Sequence, residues 1–206
     1  MNELSWLKYA ITHIFEGFDD MRWKKSGSMK IAWTILFLLF FSRIAQERLY
    51  GFQFRASCDK TFSIIPYIVS SFVLFFAWVT GNNAVSTFLD GEGSTRNIFI
   101  YSSYALVPYI AQSLINTLLS HILIRDEIVF IQAIEIIGIL WSAILIFSAV
   151  KAVHQYTPVR TAVSILLTLV AMFIMLFLLI LFMALVQQLW LFISAIFTEI
   201  SYRLRS

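Results

Sequence analysis

Cysteine is almost missing from this chain. Cys58 stands alone among 206 residues, which excludes an internal disulfide and any metal cluster built on cysteine. Glycine and proline are sparse too, at seven and three, so long stretches run without an interruption to regular structure. Charge is the third shortage. Asp, Glu, Lys and Arg make up 13% of the residues, roughly half their share in an average soluble domain, whereas hydrophobic residues make up 60%. So small a chain cannot bury that much apolar surface in one core, which excludes a water-soluble enzyme domain and a disordered tail. The slight basic excess, 15 against 12, does not argue for nucleic acid. The basic residues fall in short stretches between apolar runs, as they do in membrane-flanking loops. The composition describes a polytopic membrane protein.

A crossing helix needs about 20 residues to span about 30 Å of hydrocarbon. Residues 61–89, 97–124 and 161–198 are free of charge, 128–150 is interrupted by Glu135 alone, and 29–50 carries Arg43 in its second half. The expected fold is therefore all-α, with five transmembrane helices over 29–186. No cleavable signal is expected, because the first apolar run begins near Ile31 after a segment containing acids.

Both ends differ from the spans. Residues 1–28 hold Leu4, Leu7, Ile11, Ile14, Phe18 and Met21 at intervals of three and four, the stripe of an amphipathic helix. It is expected to pack on its own bundle, lie on the membrane surface or dock on a partner. At the other end, 38 charge-free residues are too many for one perpendicular crossing. Gln187 and Gln188 mark an expected exit, leaving 187–206 as an interfacial helix and tail. Eight basic residues on one side against seven on the other leave sidedness to the first segment, whose Arg22, Lys24, Lys25 and Lys30 favour a cytoplasmic amino terminus.

Five crossings gather three unusual segments on one face, whichever way the chain is oriented. They are Phe15-Glu-Gly-Phe18-Asp-Asp-Met-Arg22-Trp-Lys-Lys-Ser-Gly27-Ser, Asn83-Ala-Val-Ser-Thr-Phe-Leu-Asp90-Gly-Glu-Gly93-Ser-Thr and His154-Gln-Tyr156-Thr-Pro. With Tyr104-Ala-Leu-Val-Pro108-Tyr and the Ser120-His-Ile-Leu turn, they resemble the bacterial branch of the Yip family, over about residues 13–186. The eukaryotic members of that family are Rab/Ypt-interacting membrane proteins. The resemblance implies a cytoplasmic amino-terminal segment followed by five spans in a bacterial plasma membrane, with no enzymatic activity. Some bacterial members are accessory subunits associated with ABC transporters, so the resemblance implies partners among integral membrane proteins.

Catalytic motifs are absent: there is no His-Glu-x-x-His, Gly-x-Ser-x-Gly, phosphate-loop lysine or Cys-x-x-Cys. His13, His121 and His154 are spread too widely in the sequence to suggest a metal site, and no cofactor is expected. The Asp90-Gly-Glu-Gly93 loop carries two acids that would repel phosphate. It is expected to be a tight turn whose Ser94 or Thr95 caps the next helix. The alternative is docking, for which the candidates on this face are Arg22, Trp23, Lys24, Asp90, Glu92, His154 and Tyr156.

Inside the spans, Arg43, Gln112, Asn116 and Glu135 form the polar set. In span three Tyr104, Pro108, Gln112, Asn116 and Ser120 step by four, which puts them on one stripe facing the bundle. The tight 125–127 turn makes spans three and four a hairpin with Glu135 level with Asn116 and Thr117. Three uses remain open for the set: interhelical glue, a solute or ion path, and a partner-facing seam. Arg43 and Glu135 each sit about 10 Å inside the same boundary, so an ion pair is expected. The competing arrangement has Arg43 snorkelling and Glu135 protonated or bonded to Asn116. The leading functional expectation is a non-catalytic membrane subunit that docks on, or helps assemble, an ABC-type transporter in contact with membrane lipid. The alternatives are a small transporter or channel, and a membrane-shaping protein.

Overall fold

The computed structural model describes residues 3–54 and 63–203, with side chains as far as residue 199. Cys58 and the start of the second charge gap at Thr61 lie outside the described residues. The regular structure among the described residues is helical. Two short helices, α1 (Glu3–Thr12) and α2 (Gly17–Trp23), precede the first span, α3 (Met29–Arg48). The second span combines α4 (Ile65–Ile68), a π-helical turn (Val69–Val73) and α5 (Leu74–Phe88). The third joins α6 (Thr95–Ala105) to α7 (Val107–Leu119), the fourth is α8 (Ile128–His154), and the fifth is α9 (Pro158–Arg203). Among the described residues, five helical segments are thus long and apolar enough to cross a bilayer.

Span three is the centre of the bundle. Every residue from Ile98 to Ala105 is buried, and the small side chains of Ser102, Ser103 and Ala105 allow neighbouring helices to approach closely. α8 packs along α6 and α7, α3 lies against the same pair, and α9 packs mainly on α5. Pro108 sets the break between α6 and α7. Proline carries no N–H and crowds the residue before it, so the ladder loosens at Leu106. Tyr109 N–H then donates to Ser142 Oγ of α8 at 2.9 Å. Pro66 sits in the first turn of α4, where a missing N–H costs the helix nothing. The irregularity in span two comes three residues later, at the π-helical turn.

The amino-terminal stripe predicts one helix over residues 4–21, but the chain turns between Thr12 and Gly17. Tyr9 Oη donates to Asp20 Oδ2 at 2.9 Å, although a straight helix would separate residues 11 apart by about 16 Å. α1 therefore folds back on α2. Trp6, Ala10, Phe18 and Met21 enter the hydrophobic core, so of the three destinations open to this segment they take its own bundle. Leu4, at the start of the stripe, stays exposed.

At the carboxyl end, a separate helix beginning at residue 187 is not found. α9 continues unbroken through Gln187 and Gln188 for 46 residues. Between Val159 and Glu199 there is neither glycine nor proline to interrupt the hydrogen-bond ladder, and glutamine is itself a good helix former.

Candidate functional site

The ends of four spans converge where the amino-terminal helices pack, and the three segments gathered by counting crossings meet there. Arg22 is their hub. Its Nη2 donates to Glu92 Oε2 at 2.6 Å, and its Nη1 donates to the carbonyl oxygens of Ala152, at 2.9 Å, and of Val153. Those carbonyls belong to the last turn of α8, where the unpaired C=O groups carry partial negative charge. A second arginine repeats the arrangement. Arg160 donates to the carbonyl of Leu89 at the end of α5 and lies 3.5 Å from Asp90. Two guanidinium groups thus close two helix C-termini while neutralising the acids of the intervening loop.

Beneath these pairs lies a buried layer. His154 is 2% exposed and Tyr156 4%, and their rings stack at 5.1 Å with 19° between planes. The Arg160 guanidinium lies 5.1 Å from the Tyr156 ring centroid. Asn82 Oδ1 accepts from His154 Nε2 at 2.8 Å, and Asn82 Nδ2 donates to Thr168 Oγ1 at 3.3 Å. One short network therefore ties α5, α8 and α9 together. The loop glycines lie directly on it. A Cβ at Gly91 would come within 2.4 Å of Tyr156 Oη, and one at Gly93 within 2.3 Å of Val153 Cγ1. Ser94 caps α6 by accepting from Asn97 N–H at 3.3 Å. The loop is the tight turn that its sequence suggests.

The docking candidates separate into two groups. His154 and Tyr156 are interior and present no surface, because the loop between α8 and α9 folds inward against Gly91 and Gly93. Arg22 is largely consumed by Glu92 and the α8 carbonyls. Trp23 remains 77% exposed. Lys24 is exposed as well, with its ammonium 5.1 Å from the Trp6 ring, and the Glu92 and Asp90 side chains face outward beside their arginines.

Deeper in the spans, the polar set works between helices. Asn116 Nδ2 donates to Gln112 Oε1 at 3.2 Å and to the Ile131 carbonyl of α8 at 3.1 Å. Gln112 packs on Gly138, where a Cβ would lie 2.2 Å from Gln112 Cγ. Gln112 opposite Gly138 and Tyr109 opposite Ser142 keep Asn116 level with Glu135, the register expected of the hairpin, while Asn116 itself bonds Ile131 one turn away, and no bond from Asn116 to Glu135 forms among the described residues. The expected Arg43–Glu135 ion pair is also absent among the described residues. Helical rise matches the two in depth without fixing the direction each side chain takes around its helix. The Arg43 guanidinium instead lies 5.0 Å from the Tyr109 ring centroid.

Sequence reasoning passed over Asn82, Arg160 and the buried trio Thr161, Ser164 and Thr168 of α9. The trio carries a readable signal. Small polar residues at intervals of three and four in an otherwise apolar run mark the packed face of a membrane helix. Among the described residues no group of His, Cys, Asp and Glu side chains could hold a metal ion.

The family model of the Yip1 domain matches residues 9–182, nearly all of the bundle and its amino-terminal helices. No curated protein and no solved structure shows a significant match.

Proposed function

The chain belongs to the Yip1 domain family, and from that premise we propose that it is a non-catalytic membrane subunit that packs against another integral membrane protein. One observation carries the reading. From Phe177 to Phe197, α9 buries no side chain, and its large apolar residues, among them Phe182, Trp190 and Phe192, are 38% to 70% exposed. A helix of 46 residues is about 69 Å long, more than twice the hydrocarbon thickness. Lipid covers part of that surface, and a partner helix covers the rest. The partner class we favour is the membrane-embedded part of an ABC-type transporter, which rests on the family resemblance. The exposed Trp23 and Lys24, with Asp90 and Glu92, form a second and smaller contact. We place the chain in a bacterial plasma membrane with these residues on the cytoplasmic side.

The solute-path alternative has less support. Asn116 bonds the Ile131 carbonyl of α8 and Gln112 packs on Gly138, as interhelical glue would.

A photoreactive residue at Trp190 or Phe182, activated in native membranes, tests the proposal. One stoichiometric membrane-protein adduct, retained in mild detergent together with an ATPase subunit, is the expected result. Labelling of lipid alone, or solute flux through the purified and reconstituted chain by itself, would overturn it.

A further inference from the structure

The π-helical turn of span two borders a hollow in the bundle. A cavity of about 270 Å³ runs beside it, walled by Leu39, Leu74, Phe75, Ile146 and Met172, with Arg43 and Ser70 at one end. A second hollow of about 390 Å³ shares Arg43 and Ser70 and continues past Gln46 and Glu47. Their shared wall at Arg43 and Ser70 sets the two side by side, and we read them as one path. Its apolar part reaches Leu39, the middle of α3, and its polar part follows α3 towards the end of the helix at Arg48. π-helical turns inside α-helices recur at functional sites. Two buried polar atoms along this one, Ser71 Oγ and Arg43 Nε, have no hydrogen-bond partner among the described residues.

Charge is ordered along the path. Arg43 and Glu47 are one turn apart on α3, with about 6 Å of rise between them. They form no ion pair with each other among the described residues. The guanidinium lies over the Tyr109 ring and its Nε has no hydrogen-bond partner among the described residues, so N–H donors remain for a planar or tetrahedral oxyanion. Moving outward from the membrane centre, the path offers an apolar slot, then a cation, then an exposed carboxylate. A phospholipid whose headgroup ends in a primary ammonium carries the complementary order of acyl chain, phosphate and cation. We propose that this path is a binding site for one such aminophospholipid, with an acyl segment between Leu39 and Met172, its phosphate on Arg43 and its ammonium on Glu47. A headgroup with a phosphate and no cation leaves Glu47 beside an anion. A quaternary headgroup supplies the charge and no N–H for the carboxylate.

The test is lipid retention by the purified full chain. Delipidated protein is reconstituted in nanodiscs containing equal amounts of phosphatidylethanolamine, phosphatidylglycerol and phosphatidylcholine, re-extracted in mild detergent, and its bound lipid is measured by native mass spectrometry. The expected result is one bound lipid per chain, with phosphatidylethanolamine preferred. Glu47→Gln, a change at an exposed position, should reduce that preference over phosphatidylglycerol by on the order of tenfold. Arg43→Gln should lower retention of all three lipids together. Leu74→Trp should block the slot with both charges intact, and each variant is compared at a matched monodisperse elution position. Equal retention of the three headgroups by the unaltered chain would overturn the proposal, as would a preference that survives Glu47→Gln. So would retention indifferent to both Arg43→Gln and Leu74→Trp, since that is ordinary contact with bulk lipid.

Discussion

Arg22 reaches Glu92 across 70 residues of sequence at 2.6 Å, and the same guanidinium holds the last carbonyls of α8. The two halves of this contact are unequal. Glu92 is 68% exposed, so its ion pair is screened by water and contributes at most about 1 kcal/mol. The bonds to the α8 terminus are made by an arginine side chain only 21% exposed. Charge-assisted bonds of that kind contribute about 1.5–3 kcal/mol.

Glu92→Gln is therefore expected to lower the free energy of unfolding by less than about 1 kcal/mol, and Arg22→Ala by about 2 kcal/mol or more. Arg22→Lys should recover little, because an ammonium cannot reach a carboxylate and two carbonyls with one planar fork. Reversible unfolding in mixed micelles, with the double variant completing the cycle, measures both effects. Equal losses from the two single changes would show that the exposed pair, and not the helix end, carries the energy.

Gln112 and Gly138 make a second test. α7 and α8 approach so closely that a Cβ on Gly138 would lie 2.2 Å from Gln112 Cγ. Gly138→Ala should then destabilise the hairpin by about 1–3 kcal/mol through overpacking. Gln112→Ala in the same chain should relieve part of that loss. Asn116→Ala removes a buried bond to the Ile131 carbonyl of α8 and one to Gln112 on its own helix, and loss of the first should cost about 0.6–1.7 kcal/mol, the range for interhelical polar contacts in membranes. Thermal denaturation followed by monodispersity ranks the variants. Additive losses from Gly138→Ala and Gln112→Ala would mean that the two side chains do not share the space.

The span count was legible because each crossing needs an uninterrupted apolar length, and length is written directly in the sequence. Counting crossings also showed which loops share a face, and Arg22, Glu92 and His154 do meet there. Two kinds of information were hidden. Helical rise gives height but not azimuth, so Arg43 and Glu135 matched in depth while Arg43 turned to Tyr109. Inward folding of a short loop depends on contacts far away in sequence. Nothing local to His154 or Tyr156 indicates that Gly91 and Gly93 will cover them. The turn between α1 and α2 was hidden for the same reason, since the bond from Tyr9 to Asp20 exists only after the chain has folded back.

Tyr156 supplies the pH dependence. Its ring is 4% exposed, lies between His154 and Arg160, and its hydroxyl oxygen has no hydrogen-bond partner among the described residues. Burial raises the phenol above its usual value near 10, opposed by Arg160, which favours the phenolate, and reinforced by Asp90, which disfavours it. A raised value means that the folded chain keeps a proton which the unfolded chain releases. The contribution is therefore fully present below about pH 10 and is lost as pH rises above it. Tyr156→Phe keeps the ring and removes the ionisation, and the hydroxyl it deletes makes no bond. The variant should be at least as stable as the unaltered chain at pH 8, because the buried hydroxyl it deletes is unpaired, and its margin should widen increasingly above pH 10. Unfolding midpoints of the two proteins measured between pH 8 and 11 give the difference, which cancels the titration of every other tyrosine. Curves that stay parallel to pH 11 would mean that the phenolate is accommodated in place, with Arg160 outweighing burial.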